Sequence, residues 1–290
     1  MTGEPLDRQN QEQREYWNGK AGTQWVEQNN QMDNSLRPIG KLAMDAAQVQ
    51  PGEFVLDIGC GCGDTSLQLA QLSGETGKVL GVDISAPMLD LAQQKKGELP
   101  AALAATVAFA EGDAASYAFG AQQFDLVFSR FGVMFFDDPV LAFTNIRGAL
   151  KPGGRLAFIC WAPVQHNQWV MVPLAAALAH IDPPQPGDPH APGPFSFADV
   201  EHTRGVLGAA GFQNIDLAPV SPTMRFGEGT PRDQIANFFM DIGPVSRALA
   251  EGTPELKEAV RASITEAIMP FYDGTGVNLE GSCWVVTASN

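Results

Sequence analysis

Between residues 54 and 161, short apolar runs alternate with stretches of helical spacing, and few architectures accept that order. "FVLDI" at 54–58, "KVLGVD" at 78–83, "TVAFAEGD" at 106–113, "FDLVFS" at 124–129 and "RLAFICW" at 155–161 each read as a strand. Helices are expected from about Asp64 to Leu72, from an N-cap at Ser85 with Pro87 in the first turn, and over 139–150, stopping at "KPGG". Strands that alternate with helices pair in parallel and take helices on both faces. This predicts an α/β, doubly wound sheet.

The flanks differ. Residues 1–50 read as a cap of polar helices with scattered large side chains (Tyr16, Trp17, Trp25, Val26, Met32), then helical spacing at Leu36, Ile39, Leu42, Ala43 and Ala46. The main domain is expected over 51–290, long enough for one large domain with insertions. After Trp161, the Pro-rich stretch 181–195 cannot be a helix or a central strand. A helix ending at Gly211, a strand "QNIDLAPV", a mostly helical 231–270 and a final strand "SCWVVTAS" follow. Insertions at about 162–200 and 227–280 are expected to form a lid.

The net charge of −15 and the sequence pI near 4.5 set the surface against nucleic-acid backbones and anionic membranes, and no Lys/Arg run offsets this. Four scattered cysteines make no disulfide framework. The start, "MTGEPLDRQNQEQREY", carries no basic-then-apolar signal, and no apolar stretch reaches membrane-spanning length. A cytoplasmic protein, monomeric or homodimeric, without nucleic-acid partner or membrane span, is expected.

The turn after the first strand is "VLDIGCGCGDTS". Strand, glycine turn and helix start bring a ligand close to backbone. A dinucleotide loop needs Gly or Ala five residues beyond its first glycine. Here Asp64 or Ser66 stands there, and no Gly-Lys-Ser/Thr follows. Asp57 and Asp64 flank the glycines, which opposes a pyrophosphate and suits a cation. Asp83 ends the second strand where a carboxylate takes ribose hydroxyls, and Asp113 and Ala114 follow the third, near an adenine edge. A nucleoside with a cationic, amino-acid-like tail satisfies these positions, as S-adenosylmethionine (SAM) does. Cys60 and Cys62 are too closely spaced for structural zinc and lack a second pair nearby, so no metal is expected.

"VLDIGCGCGDTSLQLA", "VLGVDIS", "EGDAASYAF", "FDLVFSRFGVMFFDDP" and "LKPGGRLAFICW" resemble the successive motifs of class I SAM-dependent methyltransferases, nearest the ubiquinone/menaquinone-biosynthesis C-methyltransferase type. The resemblance is close over about 50–162 and loose beyond. It implies a seven-stranded Rossmann-like sheet of order 3-2-1-4-5-7-6 with strand seven, "SCWVVTAS", antiparallel. It implies cofactor contacts from Asp57, Gly59, Gly61, Gly63, Asp83, Asp113 and Ala114. Ile84 and Met88 beyond the second strand, and Ser129, Arg130 and Phe131 at the ligand-facing end of the fourth, are further candidate cofactor contacts. "FGVMFFDDP" departs from the family's segment, which leaves the acceptor open.

Trp17 and Trp25 either staple the cap down or face the cofactor, where an aromatic face attracts a sulfonium. Arg130 is read either as a partner of surface acids or as a hold on an anionic or carbonyl group of the substrate. His166, just beyond the fifth strand, is the candidate general base. The expected reaction is in-line methyl transfer to a small acceptor. Apolar stretches such as "WVMVPLAAALAHI" and "IANFFMDIGPV" suggest that the acceptor is hydrophobic or aromatic. The rivals are a non-catalytic SAM or S-adenosylhomocysteine (SAH) binder, a SAM enzyme of another reaction type, and an NAD-dependent oxidoreductase.

Overall fold

The computed structural model describes residues 10–183, 187–241, 243–250 and 252–290. The part of the cap at 1–9 and part of the Pro-rich stretch at 184–186 lie outside it. The chain opens with three helices, α1 (Gln11–Asn18), α2 (Lys20–Glu27) and α3 (Asn29–Ala47). The buried apolar face of α3 is Leu36, Ile39, Ala43, Met44 and Ala47. Ala46, expected inside, is exposed.

The alternating part follows as β1 (Phe54–Ile58), α4 (Asp64–Ser73), β2 (Lys78–Asp83), α5 (Ala86–Lys96), a single turn α6 (Ala101–Ala104), β3 (Val107–Glu111), β4 (Phe124–Arg130), α7 (Pro139–Ala149) and β5 (Leu150–Trp161). Beyond it come α8 (Gln168–Ala177), α9 (Val200–Ala209), β6 (Gln213–Val220), β7 (Thr223–Phe226), α10 (Ile235–Asp241), α11 (Gly243–Ala248), α12 (Pro254–Ile268), β8 (Val277–Glu280) and β9 (Cys283–Ser289).

Seven strands form one sheet in the order β3-β2-β1-β4-β5-β9-β6, with only β9 antiparallel to its neighbours. This is the order the family resemblance implies, with β9 as strand seven. Val55 to Ile58 of β1 are all buried, as a central parallel strand covered on both faces requires. From β1 the chain steps outward to β2 and β3, then returns to the other side of β1 as β4. The ends of β1 and β4 therefore flank the switch point, where ligands of open α/β sheets sit.

Two expectations need correction. The third strand, expected over 106–113, ends at Glu111, and Asp113 follows it in the loop, where the reading of the site has it. The insertion at 227–280 is not helical throughout, because β8 pairs with β7 as a separate antiparallel ribbon. Ser35 of α3 donates to the Arg225 carbonyl (2.6 Å), tying that ribbon to the cap. Helices α10 and α12 pack on each other, and α12 on α8, with Phe226, Phe238 and Phe239 clustered at the ribbon. Among the described residues no helix is long and apolar enough to cross a membrane.

At the switch point two backbones meet without side chains. A Cβ on Gly132 would lie 2.7 Å from the Gly59 Cα and 2.7 Å from the Ile58 oxygen. Gly132→Ala is expected to cost about 1–3 kcal/mol in urea unfolding, through overpacking against backbone that cannot yield. Gly148→Ala, on the open face of α7, is expected to leave the midpoint unchanged or raise it slightly.

Candidate functional site: the glycine loop and its lid

The loop from β1 to α4 turns through Gly59, Gly61 and Gly63, all with φ between 53° and 81°. Gly59 has no alternative, because it combines this conformation with the contact to Gly132. Cys60 and Cys62 point inward and are buried. Burial, then the nearby Asp83 and Asp57, push the Cys60 thiol far up, and burial takes Cys62 to about 12. Neither thiol is poised as thiolate, and no group of three or more His, Cys, Asp or Glu is placed to hold a metal among the described residues.

The loop spends its own N–H groups. Gly59 and Cys60 donate to the Val82 carbonyl (2.8 and 3.2 Å), Gly63 to Cys60 (2.9 Å), and Gly61 to the Asp83 carboxylate (2.7 Å). A pyrophosphate cradle needs these donors free, so the loop offers a phosphate little.

Three acids lie at the loop without a cationic partner among the described residues. Asp57 is fully buried at the end of β1. Its Oδ2 accepts from Thr65 and Ser66 (2.7 and 2.6 Å), while its Oδ1 has no partner. Burial pushes its carboxyl up from 3.8 to about 6, against the pull of the two hydroxyls and of Arg130. Asp83 accepts from the N–H groups of Gly61 and Ser85 (2.7 and 2.9 Å), and burial raises its carboxyl too. Asp113 is buried and accepts from Ala115 N–H and from the Asn10 amide (2.9 and 3.0 Å). None of the three forms a salt bridge among the described residues.

Asp64 behaves otherwise. Lys95 neutralises it at 2.6 Å, and Asn29 donates to its other oxygen (3.0 Å). Its expected part in favouring a cation passes to Asp83 and Asp113.

The β4 exit is likewise neutralised. Arg130, only 12% exposed, pairs at 2.8 Å with Asp33 of α3, itself 3% exposed. Gly40 leaves space for the arginine stem. Burial raises the Asp33 carboxyl, but Arg130 and Arg37 outweigh it and hold it below the usual range. Of the two readings of Arg130, the structure adopts the ion pair, with an acid that is buried rather than on the surface. The Ser129 hydroxyl is buried between the Ile58 carbonyl (2.7 Å) and Gly132 N–H (3.2 Å), bracing β4 against β1. Phe131 holds φ 63°, a strained value for a bulky residue, and stacks on Trp161 at 4.4 Å. Trp161 in turn meets Trp169 at 4.8 Å.

The cap closes over the ends of β2 and β3. Asn18 donates to the Ile84 carbonyl (2.8 Å) and accepts from Ala86 N–H (2.9 Å). Ser85 is the N-cap residue of α5, but its hydroxyl goes to the Trp17 carbonyl (2.7 Å). Asn18 does the capping. Trp17 meets Trp25 and Phe135 edge to face, so it packs the cap against the β4 exit. Met88 reaches over Gly61, and the Ala114 carbonyl is held by Asn145 of α7 (2.8 Å).

His166 is exposed on the turn after β5, and its ring makes no hydrogen bond among the described residues. Its neighbour Asn167 is fully buried and bridges the β5 exit to Ser282 N–H (2.8 Å). Asn10, Asn18, Asp33 and Asn167 escape sequence reading. Each is a single polar residue whose partner lies far along the chain, and no local spacing marks it.

A cavity of about 160 Å³ lies at the opposite edge of the sheet, between Ala46, Ala47, Arg155, Asn214 and Thr287, away from the glycine loop.

The family described as methyltransferase domain matches residues 55–154. The demethylmenaquinone methyltransferase of Staphylococcus carnosus is 32% identical over 189 residues, covering 61% of this chain and 75% of that protein. The chain belongs to the class I SAM-dependent methyltransferases. The enzyme of the same name from Oceanobacillus iheyensis is 36% identical over 119 residues, 41% of this chain. The chain thus spans about half, 49%, of that relative's length. A crystal structure of a putative methyltransferase from Bacillus halodurans shares the fold at a TM-score of 0.54 and 19% identity, covering 86% of this chain and 97% of that one.

The residues fit the family's cationic cofactor. The orphaned Asp57 Oδ1 calls for a donor, and the uncancelled acids suit a positive ligand. In buffer alone, Asp57 titrates lower unfolded than folded, so its ionisation costs stability as pH rises towards and through about 6. Asp57→Asn is therefore expected to raise the melting temperature at pH 8 by several degrees relative to wild type, with a smaller gain at pH 5. Asp33→Asn leaves Arg130 buried without its charge partner and is expected to cost about 3–5 kcal/mol in urea unfolding, and adding Arg130→Met is expected to recover much of it.

Proposed function

We propose that the chain moves the methyl group of SAM to a small, hydrophobic, aromatic acceptor of quinone type. The observation that carries this reading is the glycine loop itself, its N–H groups already engaged and its surroundings lined by the carboxylates of Asp57, Asp83 and Asp113, which form no salt bridge among the described residues. When bound, SAM supplies a methyl carried on a sulfonium, ready for in-line displacement.

The residues of the chain divide the binding task. Asp57, with a free buried oxygen, holds the ammonium end beside Gly59, Gly61 and Gly63. Asp83 takes the ribose hydroxyls through lone pairs not used by Gly61 and Ser85. Ile84 and Met88 line the ribose side, and Asp113 and Ala114 flank adenine. Asp33 cancels the charge of Arg130, so no cation at the β4 exit opposes a sulfonium.

The acceptor side is aromatic. Phe131 stacks on Trp161, Trp169 packs on Trp161 at a tilt, and Trp17 of the cap meets Phe135 of the turn after β4 edge to face. Such a surface orients a flat ring and excludes water, which are the main tasks for a methyl donor that is already electrophilic. The names of the demethylmenaquinone methyltransferases support a quinol ring as that acceptor. A base is needed only to remove the proton displaced from the acceptor. His166, on the loop after β5, is the residue proposed for that step.

The test is turnover with methyl-labelled SAM and reduced naphthoquinones lacking the ring methyl. Label is expected in the quinol with one SAH formed per methyl moved. Saturable SAM binding with no SAH formed on quinols, phenols or naphthols would overturn the reading in favour of a binding protein.

A further inference from the structure

We propose that α1 is the lid of the adenosine end of the site and that Asn10 reads the amino group of adenine. The inference rests on the SAM reading above and extends it to a residue that no sequence motif marks.

Helix α1 is anchored at both ends to the two strand exits that would hold the nucleoside. At its start Asn10, 8% exposed, donates from Nδ2 to Asp113 Oδ2 at 3.0 Å. At its end Asn18 grips Ile84 and Ala86, and the Trp17 carbonyl accepts from Ser85. Eight helical residues span about 12 Å, enough to cover an adenosine.

The lid carries unfilled acceptors. Among the described residues, Asn10 Oδ1 is buried without a donor, and so is Gln13 Oε1 in α1, three residues on. Turning the Asn10 amide over would aim its oxygen at the Asp113 carboxylate, so the assignment of its donor is fixed by its partner. Buried acceptors without donors are rare. Asp113 accepts from Asn10 at one oxygen and from Ala115 at the other, and its carboxylate keeps further lone pairs. A group that bridges Asp113 and Asn10 Oδ1 brings two N–H bonds, one to each. The exocyclic amino group of adenine has that form. A purine with a carbonyl at the same position would face two acceptors with an oxygen and be refused.

The test compares SAH with S-inosylhomocysteine, its 6-oxo analogue, by calorimetric titration of the full chain. Wild type is expected to prefer SAH strongly, and Asn10→Ala is expected to shrink that preference about tenfold, the worth of one good hydrogen bond. Asn18→Ala loosens the same helix at its other end. It is expected to weaken both ligands alike and leave their ratio unchanged. A ratio unchanged in Asn10→Ala, or lowered equally by Asn18→Ala, overturns the assignment while SAH binding by wild type preserves the SAM reading. Wild type binding neither ligand overturns that reading, and the assignment falls with it.

Discussion

Everything at the site depends on the backbone contact between Gly59 and Gly132. It closes the switch point between β1 and β4 with no side chain from either exit between them, and so fixes both the glycine loop and the β4 exit. From that contact Ser129 is spent bracing the two strands, and Phe131 is forced into a left-handed conformation that lays its ring on Trp161. Strain of this kind survives only where surrounding structure fixes it, here the flat packing of the β4 and β5 exits.

Charge is the second organising constraint. Among the described residues, two cations near the loop are each taken by an acid, Lys95 by Asp64 and Arg130 by Asp33. Both pairs are tied to α3 of the cap, through Asn29 and Asp33, four residues apart on one helix face. With those charges cancelled, the acids at the ends of β1 and β2 and after β3 form no salt bridge among the described residues. This leaves negative charge at the loop, while Asp64 and the cap's Asp33 neutralise Lys95 and Arg130 beside it. The cap is part of the electrostatics of the site as well as its cover.

The strands and the loop were legible because buried parallel strands leave continuous apolar runs and glycine loops leave a fixed spacing. β1, β2 and β6 fall where the pattern puts them, and the antiparallel β9 ends the chain as expected. The β7–β8 ribbon was not legible. Its two four-residue strands are separated by some fifty residues of mostly helical pattern, and such short strands carry no period of their own. The positions of Asp57 and Asp83 at strand ends and of Asp113 after β3 could be read from the strand pattern. That Asp64 is cancelled could not, because Lys95 lies a helix and a strand away in sequence. Asn10 and Asn18 were invisible for the same reason. A polar residue in a polar helix acquires meaning only when the fold brings a distant carboxylate or helix start beside it.

The central claim, that this glycine loop serves a cationic nucleoside rather than a dinucleotide, is tested most directly by titrating the protein with SAH and, separately, with NAD at neutral pH. One-to-one saturable binding of SAH with no saturable binding of NAD is the predicted result. Saturable NAD binding without SAH binding would contradict it.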